Sequence, residues 1–144
     1  MSSATSSLPA AAPGPIASLL ESAAFRVAAR VLLTLPFWMS GLAKLADFGF
    51  ATAEMAMFGL IPPAAFAVAT IITQLGGSAL VISGRRAWLG AGALGIFTAL
   101  TIPIAHNFWA LEGERAMMEM FFAVEHISVI GGLMLAAILC HRKA

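Results

Sequence analysis

Four long apolar runs constrain what this 144-residue chain can fold into. Each run has 18 residues or more and almost no charge. That length is close to the roughly 20 helical residues that cross about 30 Å of hydrocarbon. The sequence therefore predicts an all-α fold, an integral membrane four-helix bundle. The predicted spans are residues 27–45, 64–83, 87–105 and 117–140.

The composition favours a membrane protein and excludes several functions. Hydrophobic residues make up 60% of the chain and charged residues 10%, against about a quarter charged in soluble domains. The net charge is +1 and no basic run occurs, so nucleic acid is not an expected partner. The expected partner is the lipid bilayer. The single Cys140 excludes an internal disulfide, so any redox role requires a partner or a cofactor.

Two further segments flank the first span. Residues 1–24 are rich in Ser, Ala and Pro without periodicity, which predicts a flexible N-terminal tail before a membrane domain at 25–144. Residues 46–63 are too polar to cross but carry Phe and Met, which predicts a short interfacial helix or a re-entrant cap. Inside the first span, Pro36 predicts a bend.

The charges in the loops predict the orientation. With a cytoplasmic N-terminus, six basic residues lie inside and two outside, as the positive-inside rule requires. The inner set is Arg26, Arg30, Arg85, Arg86, Arg142 and Lys143, and the outer set is Lys44 and Arg115. Asp47, Glu54, Glu112, Glu114 and Glu119 then face outward. We predict a multi-pass protein of a bacterial inner membrane with both termini in the cytoplasm.

Small residues spaced by four predict the faces on which the later helices pack, because helices in lipid associate through close backbone approach. The rows are Ala65, Ala69, Thr73 and Gly77 in the second span, Ala87, Ala91, Gly95 and Ala99 in the third, and Ser128, Gly132, Ala136 and Cys140 in the fourth. We assign these rows to helix contact and give them no chemistry.

A few polar side chains on the predicted spans form a candidate intramembrane cluster. Its members are Lys44, Gln74, His106, Glu125 and His126. Glu125 lies too deep for its short side chain to reach water, so it requires a partner or a proton. We predict a contact between Lys44 and Glu125 that Gln74 and His106 extend. A buried polar network that only fixes helix register is an equal interpretation, and His126 alone is more typical of a packing residue.

Haem and metal are not predicted. Paired histidines on neighbouring helices can ligate haem iron, but His106 and His126 are expected to differ in height by roughly 9 Å at the helical rise. His106, Glu119, Glu125 and His126 have suitable ligand atoms, but no HxxxH or ExxH pairing places two of them on one helical face.

Several segments resemble a known family. The run FWMSGLAKL at 37–45 is similar to the first-helix signature of DoxX-like membrane proteins, and QLGGSALVISG at 74–84 resembles their second helix. The run AHNFW at 105–109 is similar to the end of their third helix, and IGGLML at 130–135 resembles the fourth. Gln74 stands where the family commonly carries Glu, while Lys44 and His106 are the best matched polar positions.

The resemblance implies a function as well as a fold. It implies a four-helix membrane protein that serves as an accessory subunit of a membrane redox system linked to quinone, thiol or thiosulfate, without catalysis of its own. One alternative is a binder of a quinone or lipid-like molecule, in a cavity lined by Lys44 and His106 with Trp38, Asn107 and Trp109 as further candidates. Another alternative is a purely structural partner of a second membrane subunit.

Overall fold

The computed structural model describes residues 12–141, and within that range the chain is all-α without a strand. The helices are α1 (Gly14–Glu21), α2 (Ala23–Leu33), α3 (Leu35–Ala46), α4 (Phe48–Met57), α5 (Pro63–Ser83), α6 (Ala87–Ala105) and α7 (Gly113–His141). A short 3₁₀ helix, Phe108–Ala110, links α6 to α7. Three segments are long and apolar enough to cross a bilayer: α5, α6 with its 3₁₀ continuation, and α7. The protein is an all-α membrane protein, as predicted.

The first predicted span is divided into α2 and α3 at Thr34. Pro36 has no backbone N–H to donate to the carbonyl of Leu32, so the hydrogen-bond ladder is interrupted there. The fully buried Thr34 bridges the break, because its hydroxyl donates to the Arg30 carbonyl at 2.8 Å. The predicted bend is therefore a division between two consecutive helices that together cover residues 23–46.

Part of the predicted N-terminal tail is helical. Residues 14–21 form α1, and Ser22 accepts a hydrogen bond from the Phe25 N–H at the start of α2. Serine is a favoured N-cap because its side chain satisfies an N–H that the first turn leaves without a partner. Residues 1–11 of the predicted tail lie outside the described range.

The segment after the first span contains α4, which agrees with the predicted short helix. The Asp47 carboxylate accepts from the Phe50 N–H at 2.8 Å and caps its first turn. Gly59, at φ +72°, turns the chain towards α5. The side chains of Ala51 and Met55 are buried with Ala67, so α4 folds back on the first half of α5.

The α5 and α6 helices approach each other through glycine. A Cβ added to Gly90 would lie 2.5 Å from the carbonyl oxygen of Gly77, so neither position has room for a side chain. This contact continues into the core formed by Phe37, Val81, Ala91, Leu94 and Leu133. Close backbone approach of this kind is the usual basis of helix association in lipid.

The predicted rows of small residues are only partly correct. Gly77, Ala87 and Ala91 are buried, but Ala65, Ala99 and Ser128 are exposed. A row with a spacing of four drifts by about 40° at each step, because a helix has 3.6 residues per turn. The buried face of α5 follows the helical period, through Ala67, Thr70, Ile71, Gln74, Gly77, Ser78 and Val81.

Candidate functional site

A cavity of about 600 Å³ lies among α3, α4, α5, α6 and α7. All five members of the predicted polar cluster line it: Lys44, Gln74, His106, Glu125 and His126. Four phenylalanines also line it: Phe37, Phe58, Phe66 and Phe97. The side chains of Phe37 and Phe97 pack edge to face with ring centroids 6.5 Å apart. The cavity therefore combines an aromatic lining with a small number of polar groups.

One side of the cavity is a connected polar network, which we call the ion-pair wall: Ser40, Lys44, Glu54 and Gln74. The Lys44 ammonium lies 2.7 Å from the Glu54 carboxylate, and both side chains are mostly buried. Lys44 Nζ also donates to Ser40 Oγ at 3.2 Å, and Gln74 Nε2 donates to the same oxygen at 3.3 Å. The wall thus joins α3, α4 and α5.

The predicted contact between Lys44 and Glu125 is not present. Lys44 pairs with Glu54 instead, and Glu125 is exposed, without an ion-pair partner within residues 12–141. The cause is α4, which folds back on α5 and brings Glu54 to the Lys44 ammonium. The prediction had placed Glu54 only on the outer side of the membrane, in a short interfacial helix or re-entrant cap, and had given it no partner.

Gln74 leaves one polar atom without a partner. Only 5% of the residue is exposed, and its Oε1 is buried without a hydrogen bond in the described chain. Buried polar atoms in folded proteins nearly always have a partner. The Gln74 carbonyl oxygen is therefore one atom of the ion-pair wall that is open to a further hydrogen bond.

His106 and His126 form the other polar side of the cavity, and we call them, with their contacts Glu119 and Phe122, the histidine wall. His106 follows the last residue of α6, and its Nδ1 lies 2.7 Å from the Glu119 carboxylate. Its ring centroid lies 5.5 Å from that of Phe122 and 4.6 Å from that of His126. The three α7 residues are spaced by three and four, so they share one helical face.

The expected height difference between the two histidines is therefore wrong. Their rings are in contact, because α7 begins at Gly113 and extends well beyond the end of α6. His126 lies about 20 Å along α7 from Gly113 at 1.5 Å per residue. The connection between the helices runs beside the first turns of α7, so His106 meets the middle of that helix.

A hydrogen bond determines which nitrogen of the His126 ring carries the proton. His126 Nδ1 lies 2.8 Å from the carbonyl oxygen of Phe122, and a carbonyl oxygen only accepts. Nδ1 therefore carries the proton and donates it. In the neutral ring, Nε2 is then an acceptor.

The three further ligand candidates lie away from the cavity lining. Trp38 donates from Nε1 to the Val31 carbonyl at 3.3 Å, across the break between α2 and α3. Trp109 is 60% exposed and packs edge to face on Phe108. Asn107 precedes the 3₁₀ helix and lies outside the lining.

Sequence reasoning missed the contacts that two acids make, Glu54 with Lys44 and Glu119 with His106. Glu54 is the one charged residue within α4, and an isolated charge in an apolar helix is a signal for a partner. Glu119 lies seven residues before His126, which is the spacing of a shared face. Within residues 12–141 no three His, Cys, Asp or Glu side chains are grouped as metal ligands would be.

Comparison with known proteins places the fold in a family. Residues 25–107 match DoxX. The chain belongs to the DoxX family. The DoxX match includes α3 to α6, and therefore Lys44, Gln74 and His106, whereas α7 with Glu119 and His126 follows it. No similar curated protein and no similar solved structure was found.

Proposed function

We propose that this DoxX protein binds an amphiphilic small molecule, of quinone or lipid-like type, in the cavity of its helix bundle. The observation that supports this proposal is the cavity. Its volume of about 600 Å³ falls in the range of roughly 300–1,000 Å³ typical of small-molecule sites. Such sites combine a mainly apolar lining with a few polar groups that orient the ligand. Here the phenylalanines supply the apolar lining. The ion-pair wall and the histidine wall supply the polar groups.

The side of the cavity that faces the surface of the bundle favours a ligand that is dissolved in the bilayer. Phe66, Leu100 and Ile104 line the cavity and are also exposed on the outside of the bundle. Side chains at such a boundary allow a ligand to enter sideways from lipid. A ligand with an aliphatic tail is able to keep that tail between these residues while its head group lies among the polar side chains.

Thermal unfolding in detergent tests this proposal, with decylubiquinone as the probe. A ligand at 100 times its Kd stabilises a protein by about 2.7 kcal/mol, which is a clear rise in Tm. We expect Ala69→Phe to abolish the rise, because Ala69 lines the cavity and the larger ring fills it. Ala99→Phe is the matched control, since Ala99 is exposed on α6 away from the cavity. Equal shifts in both variants, or none in the wild-type protein, contradict the proposal.

We further propose that the protein is an accessory subunit of a membrane redox system and is not catalytic on its own. The support is the family resemblance together with a cavity of suitable size for a quinone. Affinity purification from gently solubilised membranes tests the assignment, with co-purification of a dehydrogenase or a thiol enzyme as the expected result. A chain that purifies alone, but still binds the probe, is a binding protein without a redox partner.

For the topology we propose four spans in a bacterial inner membrane, with both termini in the cytoplasm. Together α2 and α3 cover residues 23–46, which is long enough to count as the fourth span despite the break. Labelling with a membrane-impermeant maleimide tests the orientation after Cys140→Ser removes the natural thiol. Cysteines introduced at Ser83 and Glu112 are expected to react from opposite sides of the membrane.

A further inference from the structure

The two ends of the helix bundle differ in charge. Four arginines lie at the end that carries the turn between α5 and α6: Arg26, Arg30, Arg85 and Arg86. Both ion pairs within residues 12–141 lie towards the other end, at Glu54 and Glu119. Glu21, the acid nearest to the arginines in the sequence, pairs with no basic group in that range. The arginine end therefore keeps a positive charge that the described acids do not neutralise.

Three of these arginines meet at the turn between α5 and α6, and we call them the arginine cluster: Arg30, Arg85 and Arg86. The Arg30 guanidinium fills the space where a Cβ on Gly84 would lie. Arg85 and Arg86 are the next two residues of the chain after Gly84. The fold thus brings together basic residues that are distant in the sequence and form no basic run in it.

The arginine cluster has hydrogen-bond donors without protein acceptors. A guanidinium has five N–H donors, and its planar fork matches the geometry of a phosphate. Arg30 Nε donates to the Arg26 carbonyl at 3.2 Å, whereas its two terminal nitrogens have no acceptor within residues 12–141. The exposed side chains of Arg85 and Arg86 make no hydrogen bond or ion pair in the same part of the chain. Water is able to solvate a single arginine, but three like charges around one turn favour an anion.

An apolar groove of about 260 Å³ begins beside the cluster and lies between α6 and α7. On α6 its lining extends from Trp88, two residues after Arg86, to Ile96. At 1.5 Å per residue that length is about 12 Å, which fits within the roughly 15 Å of hydrocarbon in one leaflet. Gly95 lines the groove, and a Cβ added there would meet nothing within 4 Å. The groove thus offers an open apolar surface to one acyl chain.

We infer that the arginine cluster and this groove together bind one phospholipid with a net negative head group. Its phosphate lies at the arginines and an acyl chain lies along α6 and α7. Basic groups between membrane helices are the chemistry that recognises such head groups. Trp88 lies between the two parts, as aromatic rings do at the level of lipid head groups. A free phosphate has no part that fills the groove. This lipid site is separate from the cavity of the proposed function and does not depend on it.

A pair of matched lipids tests the role of the arginines in the full-length protein in detergent. Dioleoylphosphatidylglycerol and dioleoylphosphatidylcholine have the same chains, but only the first has a net negative charge. One arginine near an anionic lipid corresponds to about a fivefold change in affinity. We expect the phosphatidylglycerol to bind at least about fivefold more tightly, as measured by the concentration dependence of the rise in Tm.

Two variants connect that preference to the cluster. Arg30→Gln and Arg85→Gln are each expected to weaken binding of the phosphatidylglycerol by about fivefold and to leave that of the phosphatidylcholine nearly unchanged. The side chain of Arg85 is exposed, so its variant keeps the test decisive if Arg30→Gln fails to fold. Arg115→Gln is the matched control, since it removes one exposed arginine near the start of α7, at the opposite end of the bundle.

A second pair of variants tests the groove. Gly95→Phe fills it and is expected to weaken binding of both lipids by at least about fivefold. Gly76→Phe is the matched control, because Gly76 is exposed on α5, has open space around it, and lies outside the groove at a similar distance from the same turn. Inorganic phosphate, which has no acyl chain, is expected to leave the Tm unchanged.

Each outcome decides one part of the inference. Equal affinity for the two lipids, or the same loss in Arg85→Gln and Arg115→Gln, overturns the role of the arginine cluster. Equal affinities in Gly95→Phe and Gly76→Phe overturn the role of the groove. If inorganic phosphate raises the Tm as much as the phosphatidylglycerol does, the site takes a free anion and the lipid is the wrong ligand. Binding of decylubiquinone is measured separately, so the proposed function stands or fails without this site.

Discussion

The two polar walls of the cavity are built differently. In the ion-pair wall, Lys44, Ser40, Glu54 and Gln74 are linked by direct polar contacts across three helices. In the histidine wall, one short contact joins His106 to Glu119, His126 Nδ1 donates to the Phe122 carbonyl within α7, and the remaining contacts are between rings. The first arrangement restrains helices relative to each other, whereas the second leaves ring nitrogens available. Under the proposed function, we expect the ion-pair wall to serve mainly as a frame and the histidine wall mainly as a recognition surface.

The close approach of α5 and α6 gives the largest expected effect. Gly90→Ala places a Cβ 2.5 Å from the Gly77 carbonyl oxygen, which forces α5 and α6 apart. We expect a loss of about 2 to 3 kcal/mol in the free energy of unfolding, the usual cost of overpacking. Unfolding in mixed detergent micelles measures it. Gly92→Ala is the control, with an expected loss below about 0.5 kcal/mol, and a loss of equal size in both variants contradicts the close approach.

The second largest loss of stability is expected in the ion-pair wall, and it tests whether this wall holds the helices together. Lys44→Met leaves the Glu54 carboxylate mostly buried without its cation. Breaking a fully buried pair costs about 3 to 5 kcal/mol, and the partial exposure here reduces our expectation to about 2 kcal/mol. The double variant Lys44→Met with Glu54→Gln is expected to recover at least about 1 kcal/mol of that loss, as coupled neighbours do. Additive losses in the same unfolding assay show that the two side chains are not coupled.

A smaller effect is expected in the histidine wall. His106→Phe retains a ring against Phe122 but removes the hydrogen bond to Glu119, so stability falls by about 1 kcal/mol. Glu119→Gln is expected to cost less, because its amide oxygen still accepts from His106 Nδ1. The same unfolding measurement compares the two variants. If His106→Phe costs more than Lys44→Met, the division into a frame and a recognition surface is wrong.

The smallest change in stability is expected at Glu125, which belongs to neither wall. Glu125→Gln removes a carboxylate that is exposed and has no ion-pair partner within residues 12–141, so stability is expected to change by less than about 0.5 kcal/mol. A double-mutant cycle with Lys44→Met is expected to show coupling below about 0.5 kcal/mol. Strong coupling in that cycle restores the original prediction of a contact between Lys44 and Glu125.

The five polar residues that the sequence grouped together do line one cavity, but their partners were not predicted. Apolar runs and a helical period were sufficient to place Lys44, Gln74 and His106 at the cavity, because those signals depend on local spacing. The partner of Lys44 depends on how α4 folds back, and the contact between the two histidines depends on where α7 begins. Both are tertiary features to which residues distant in the chain contribute. The division at Thr34 was closer to prediction, since Pro36 is a local cause.

The length of α7 has a consequence for the site. A helix of 29 residues is about 43 Å long at 1.5 Å per residue, whereas the hydrocarbon of a bilayer is about 30 Å thick. About two turns must therefore tilt or stand among the lipid head groups. When the excess lies at the Gly113 end, Glu119 is close to interfacial water and His126 is about 10 Å deeper. The His106 ring, in contact with both, then lies between a wet region and a dry one.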